Sequence, residues 1–99
     1  MAKRMTAHDE KVVQCAAWLQ GWVEPLLGPI TVNKHPSEIF EWKIFRGDPP
    51  LLLDVLRMKT TTFASSDEKF RRRSLWTQVK NILDSYGVDT TQMGTAYPE

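Results

Sequence analysis

The chain has 99 residues, of which 41% are hydrophobic and 25% are charged, and 13 basic residues against 12 acidic ones give a formal net charge of +1. These shares are close to globular averages, and a chain of this length forms one domain with a modest core. The composition therefore excludes wholesale disorder, and the near-neutral balance excludes a protein that coats nucleic acid through bulk charge. A local basic patch remains compatible with it.

The compartment and the domain organisation are predicted from simple sequence features. The single cysteine, Cys15, excludes an internal disulfide and fits a reducing cytosol, so we predict a cytoplasmic protein. No apolar segment approaches the ~20 residues that span a bilayer, and no apolar signal region follows Lys3 and Arg4, so no membrane partner is predicted. We predict one globular domain over residues 1–87 and a C-terminal tail over residues 88–99.

The first helix has a clear start and a clear apolar stripe. Thr6 and Asp9 have the spacing of a capping box. Apolar residues then recur at three- and four-residue steps, which predicts one buried face: Val12, Ala16, Leu19, Val23 and Leu26. Gly21 and Pro25 weaken the second half, so the regular helix is predicted to end between residues 21 and 27.

Two interpretations compete for the middle of the chain. Pro36 at a first helical position and Gly47 just past the end are typical of helix boundaries, and they favour a helix over residues 36–46. Alternate positions in the same segment are large and apolar, which is the period of a half-buried strand: Phe40, Trp42 and Ile44. We favour the helix, and the alternative is a short hairpin that pairs residues 30–32 with residues 38–46.

Two further helices complete the predicted fold. Asp48 followed by two prolines is typical of a helix start, which predicts an apolar helix from there to Met58. Its buried face is predicted to include Leu52, Val55 and Leu56. Ser65 and Glu68 have capping-box spacing at the start of a final helix, and Gly87 follows its last turn. The stripe of this helix comprises Leu75, Trp76, Val79, Ile82, Leu83 and Tyr86. The prediction is a mainly α fold, a compact bundle of about four helices, with an α+β fold as the alternative.

Two tryptophans of the first helix predict a protein-binding surface. Trp18 and Trp22 are four residues apart at the rim of the apolar stripe, and Lys11 lies beside Trp18 on the helix. The two indoles either widen the core face or form an exposed ridge, and exposed tryptophans are enriched at interface hot spots. The candidate contacts for a partner protein are Trp18, Trp22 and Lys11.

A basic run in the final helix is the alternative candidate for a binding surface. Lys69, Arg73 and Lys80 form one ridge that could contact phosphates, and nearby polar side chains could reach base edges. The preceding helix and short turn make the arrangement compatible with a helix-turn-helix. The candidate nucleic-acid contacts are Lys69, Arg71, Arg73, Thr77 and Lys80.

Acidic residues offer a structural explanation for part of this charge. Asp67 precedes Arg71, and Glu68 precedes Arg72, by four residues, which is the favourable orientation for ion pairs on a helix. In an unbroken helix Arg72 also projects onto the apolar side, where it needs a partner or must extend to solvent. The run is then a solvated face rather than a binding site.

Catalytic and metal-binding motifs are not recognisable. The sequence has no Gly-rich phosphate loop and no Cys or His cluster at metal spacing. Cys15 lies on the apolar face of the first helix, where a thiol is usually a small hydrophobe. We predict a non-enzymatic protein with no cofactor and no metal, which docks on a larger protein as a regulator, inhibitor or adaptor. The alternative is a helix-turn-helix-like regulator that binds DNA or RNA, and a third hypothesis is a homo-oligomer joined through Trp18.

Overall fold

A computed structural model of the chain describes residues 6–34, 40–94 and 96. In chain order its elements are helix α1 (Ala7–Leu27), strands β1 (Ile30–Lys34), β2 (Phe40–Arg46) and β3 (Leu51–Met58), helices α2 (Thr60–Ala64) and α3 (Glu68–Ser85), and a 3₁₀ turn (Thr90–Met93). The strands form an antiparallel sheet in the order β1-β2-β3, and α1 and α3 pack together and against it.

The prediction of a four-helix bundle is wrong, because the described residues form an α+β fold. Residues 40–46 are the central strand β2 rather than a helix, and they pair with β1 so that Val32 lies opposite Ile44. Gly47 has a φ of +89°, a backbone conformation that glycine adopts readily, and it opens the turn into β3. The glycine that resembles a helix stop therefore belongs to a hairpin. The predicted helix start at residue 36 lies outside the described residues.

The predicted helix from Asp48 to Met58 is also wrong, since residues 51–58 form strand β3. Ile44 of β2 lies opposite Asp54, whereas Phe45 lies opposite Leu52, so Leu53 is the extra residue of a β-bulge. Leu56 is buried on the helix-covered face, as predicted. The prediction that Leu52 lies in the core is wrong, because it is 53% exposed.

Helix ends follow local capping chemistry. At the start of α1, the Thr6 hydroxyl accepts from the Asp9 amide at 3.1 Å and the Asp9 carboxylate accepts from the Thr6 amide at 3.2 Å, which confirms the capping box. The cap of α3 is Asp67 and not the predicted Ser65, because the Asp67 carboxylate accepts from the amides of residues 69 and 70. Gly87 follows the last turn as predicted, with a φ of +77°.

The core fills the space between the two long helices and one face of the sheet. Each helix contributes residues at four-residue steps, which places them on one side: Cys15, Leu19 and Val23 from α1, and Leu75, Val79 and Leu83 from α3. The sheet contributes Trp42, Ile44, Leu56 and Met58. The 3₁₀ turn packs on α3, where the Thr90 hydroxyl donates to the Asp84 carboxylate at 2.6 Å.

Candidate binding surface at the junction of the two long helices

Three consecutive arginines on α3 lie in three different environments. Successive residues of an α-helix are rotated by about 100°, so neighbours in sequence cannot share a face. Arg71 is buried, Arg72 is half-buried and Arg73 is exposed. The run that looks like one positive patch in the sequence is therefore divided between the interior, the junction of the helices and the surface.

The buried Arg71 side chain connects α3 with the segment that precedes it and with α1. Its guanidinium donates to the backbone carbonyl of Ser65 and, at 3.1 Å, to the side-chain oxygen of Gln14 on α1. Only 5% of the residue is exposed, and its Nε atom is buried without a hydrogen-bond partner. Arg71 therefore links the start of α3 to α1 by hydrogen bonds, and its charge is not exposed to solvent.

Arg72 lies over both tryptophans of α1. The indoles of Trp18 and Trp22 are stacked, with ring centroids 6.4 Å apart and an interplanar angle of 25°. The Arg72 guanidinium carbon lies 5.6 Å from the Trp18 ring and 5.7 Å from the Trp22 ring, within the range of cation–π attraction. We call Trp18, Trp22 and Arg72 the Trp–Arg cluster.

The charge of this cluster is not neutralised by the described residues. The predicted pair with Glu68 is not formed, and the Arg72 side chain makes no ion pair or hydrogen bond with the described part of the chain. Its Nε is buried without a partner, while the residue as a whole is half-buried. A guanidinium held over two indoles, with N–H groups that no described residue uses, suits an acceptor group brought by another molecule.

The remaining predicted residues are not members of the Trp–Arg cluster. Lys11 donates to the backbone carbonyl of Ala64 at 3.2 Å and lies 6.0 Å from the Phe63 ring, so it joins α1 to α2. On α3, the Thr77 hydroxyl donates to the carbonyl of Arg73, and Lys80 pairs with Asp84 at 3.0 Å. Lys69 and Arg73 are exposed. The protein-binding role of Lys11 stays a prediction, as does the nucleic-acid role of the α3 residues.

Cys15 is held as a thiol in the core. Burial raises its pKa to about 11, and the nearby positive charge of Arg71 opposes this shift only in part. At neutral pH such a cysteine is protonated, which removes the nucleophilic thiolate form. Among the described residues no group of three or more His, Cys, Asp or Glu side chains could hold a metal ion.

Sequence reasoning found two members of the cluster and recognised the problem posed by the third. The i, i+4 spacing of the tryptophans places them on one side of α1, and the projection of Arg72 onto the apolar side signals that it needs a partner. The pairing of Arg72 with both indoles depends on how α3 crosses α1, which no local pattern encodes.

Within the described residues, no helix is long and apolar enough to cross a membrane. Comparison of the chain with known proteins found no matching family model, no significantly similar curated protein and no significantly similar solved structure.

Proposed function

We propose that the protein is a small non-enzymatic binding protein that docks on a larger protein through the Trp–Arg cluster and thereby modulates it. The observation that carries this proposal is the position of the Arg72 guanidinium above two stacked indoles, with no acid of the described chain to neutralise it. Tryptophan and arginine are among the residues most enriched at interface hot spots.

Preorganisation supports this surface as a docking site. The two indoles are already stacked on one face of α1, and Arg72 is already held over them, so little side-chain entropy is lost when a partner binds. Covering a half-buried cluster also removes additional apolar surface from water.

The cluster favours a partner that presents a carboxylate within an apolar surface. A carboxylate would accept hydrogen bonds from the guanidinium, and apolar groups around it would cover the indole edges. Excluding water from such a pair strengthens it, which is the arrangement found at the centres of tight interfaces.

Site-specific photo-crosslinking in the source cell tests the proposal. Gly21 is exposed one turn from Trp18, and a Cβ added there would meet no atom within 4 Å, so this position suits the introduction of benzoylphenylalanine. Phe70 is the matched control position, because it is 51% exposed but projects from α3 about 200° away from Arg72. We expect a discrete larger adduct from position 21 that is weak or missing from position 70.

The same experiment distinguishes the competing hypotheses. Loss of the adduct from position 21 when Arg72→Met is added supports docking through the cluster, whereas an adduct that survives this change, or equal adducts from both positions, contradicts it. An adduct of twice the protein's own mass contradicts a larger partner and supports a homo-oligomer. An electrophoretic shift of nucleic acid that weakens with salt and is lost in a double Arg73→Ala and Lys80→Ala variant supports the nucleic-acid alternative.

A further inference from the structure

A concave site separate from the Trp–Arg cluster lies where the end of β3, helix α2 and the middle of α3 meet. It has a volume of about 580 Å³, within the range of ligand pockets in proteins. Its lining residues are Arg57, Met58, Lys59, Thr62, Ser74 and Gln78.

The formal charge of the lining is positive. Arg57 and Lys59 contribute two cations, and none of the described residues that line the pocket carries a carboxylate. Arg57 uses its Nε to bind the Glu41 carboxylate at 2.7 Å, which holds the side chain in place and leaves its terminal amino groups available. Lys59 is exposed and makes no ion pair with the described residues.

The neutral polar side chains of the lining are available as well. Within the described part of the chain, no hydrogen bond is made by the side chains of Thr62, Ser74 or Gln78. Thr62 is only 7% exposed, and Met58, at 3% exposed, forms an apolar floor beside it. Ser74 and Gln78 are half-buried and line the same cavity as the buried Thr62. Because a buried polar side chain usually has a hydrogen-bond partner, a cavity lined by these three side chains suits a polar ligand.

We propose that this pocket binds the phosphate group of a small phosphorylated molecule. A phosphate monoester brings nearly two negative charges and three strong acceptor oxygens, which match two cations and several neutral donors from three different elements. The volume exceeds that of the phosphate group alone, so the pocket also accommodates part of the organic group. This site shares no residue with the Trp–Arg cluster and stands independently of the docking proposal.

Titration of the folded ¹⁵N-labelled protein with phenyl phosphate, followed by amide NMR shifts, tests the site. We expect saturable shifts at residues 57–62 and around 74–78, with benzyl alcohol as the uncharged analogue giving none of them. Lys59→Gln should raise the dissociation constant about three- to fivefold, since it removes one charge next to the phosphate. Ser74→Ala combined with Gln78→Ala should weaken binding further without changing the net charge.

Arg46→Gln is the matched control. It removes the same charge as Lys59→Gln from the far end of the sheet, where Arg46 lies opposite Leu51 while residue 58 lies opposite residue 40. Several strand residues at roughly 3.3 Å each separate the two ends, which exceeds the screening length in physiological salt. Unmoved amides around the pocket, or equal weakening by Arg46→Gln and Lys59→Gln, would overturn the proposal. Shifts produced by an oligonucleotide but not by phenyl phosphate would also overturn it, in favour of a nucleic-acid contact.

Discussion

Replacing Arg71 by methionine should destabilise the fold, whereas replacing Arg73 by methionine should not. Methionine keeps the length and much of the apolar volume of the arginine side chain but has no charge and no donors. Arg71 bonds to Ser65 and Gln14 from a position that is 5% exposed, whereas Arg73 is exposed on the same helix. The pair of variants therefore separates the interior role from the effects of charge and helix propensity.

The expected magnitude follows from the two hydrogen bonds. Bonds to a charged group contribute roughly 1.5–3 kcal/mol each, so the gross loss is about 3–6 kcal/mol. Part of this is offset because the mutant no longer buries a guanidinium with an unpartnered Nε, and because methionine packs well in irregular spaces. A net loss of about 2 kcal/mol remains, which corresponds to a fall in Tm of about 10 °C for a domain of this size.

Chemical and thermal unfolding, followed by circular dichroism, measure this difference. We expect Arg73→Met to stay within about 0.5 kcal/mol of the parent protein, as exposed substitutions usually do. Equal stability of the Arg71→Met and Arg73→Met variants would refute the reasoning, because it would mean that Arg71 does not join α3 to α1. A more stable Arg71→Met variant would refute it as well, since the desolvation cost would then exceed the two bonds.

Three further predictions concern the strand β3, the thiol and the 3₁₀ turn. Leu56→Ala should cost about 2–5 kcal/mol in denaturant unfolding because it opens a cavity in the core, whereas Leu52→Ala should change stability by less than about 0.5 kcal/mol; equal effects would contradict the register of β3. At pH 8 alkylation of Cys15 should be roughly 100-fold slower in the folded protein than in urea, as judged by mass spectrometry, because a pKa of about 11 leaves little thiolate; comparable rates would contradict its burial. Hydrogen bonds from Thr90 and Lys80 hold the pKa of Asp84 below its ordinary value of 3.8. Above pH 3.8 the ionised carboxylate therefore stabilises the folded state. This stabilisation is lost as the pH falls through the lower pKa of the folded protein. Asp84→Asn should therefore reduce the loss of stability between pH 5 and pH 2 in acid titrations followed by tryptophan fluorescence, and an unchanged acid profile would contradict this linkage.

The helical parts of the fold could be predicted because their signals are local. The capping box of α1 and the apolar stripe of α3 each lie within a few turns of chain. The capping box is confirmed, and burial of Leu75, Val79 and Leu83 confirms the stripe except at Tyr86, which is exposed. The predicted cap of α3, Ser65, lies two residues before the observed one, since Ser65 accepts from the Asp67 amide and Asp67 itself caps the helix. Several adjacent polar residues can serve as caps, and the packing of the following helix decides among them.

The sheet could be predicted only in part. The alternation at Phe40, Trp42 and Ile44 indicates a strand, but Gly47 serves equally well as a helix stop and as a hairpin residue, so the boundary signals were ambiguous. In β3 the bulge at Leu53 interrupts the two-residue period, so the apolar positions of this segment also match a helix. The choice depends on pairing with β2, which is a tertiary contact.

The candidate site shows the same division between local and tertiary information. The spacing of Trp18 and Trp22 is local and predicts that they share one side of α1. The separation of the three arginines follows from helix geometry, but the partner of each depends on which elements face α3. Sequence patterns therefore show where the charged residues lie on the helix, but they do not show which partner each of them contacts.

The affinity of the isolated, purified partner for variants of the cluster tests the central claim most directly. Trp18→Ala and Arg72→Met should each weaken binding about 30-fold, the effect of a hot-spot residue that contributes about 2 kcal/mol, while Phe70→Ala should change it less than threefold. The unfolding midpoint of each variant, measured alongside, identifies any loss that is due to misfolding. Binding by folded Trp18→Ala and Arg72→Met variants that equals binding by the parent protein would contradict the account.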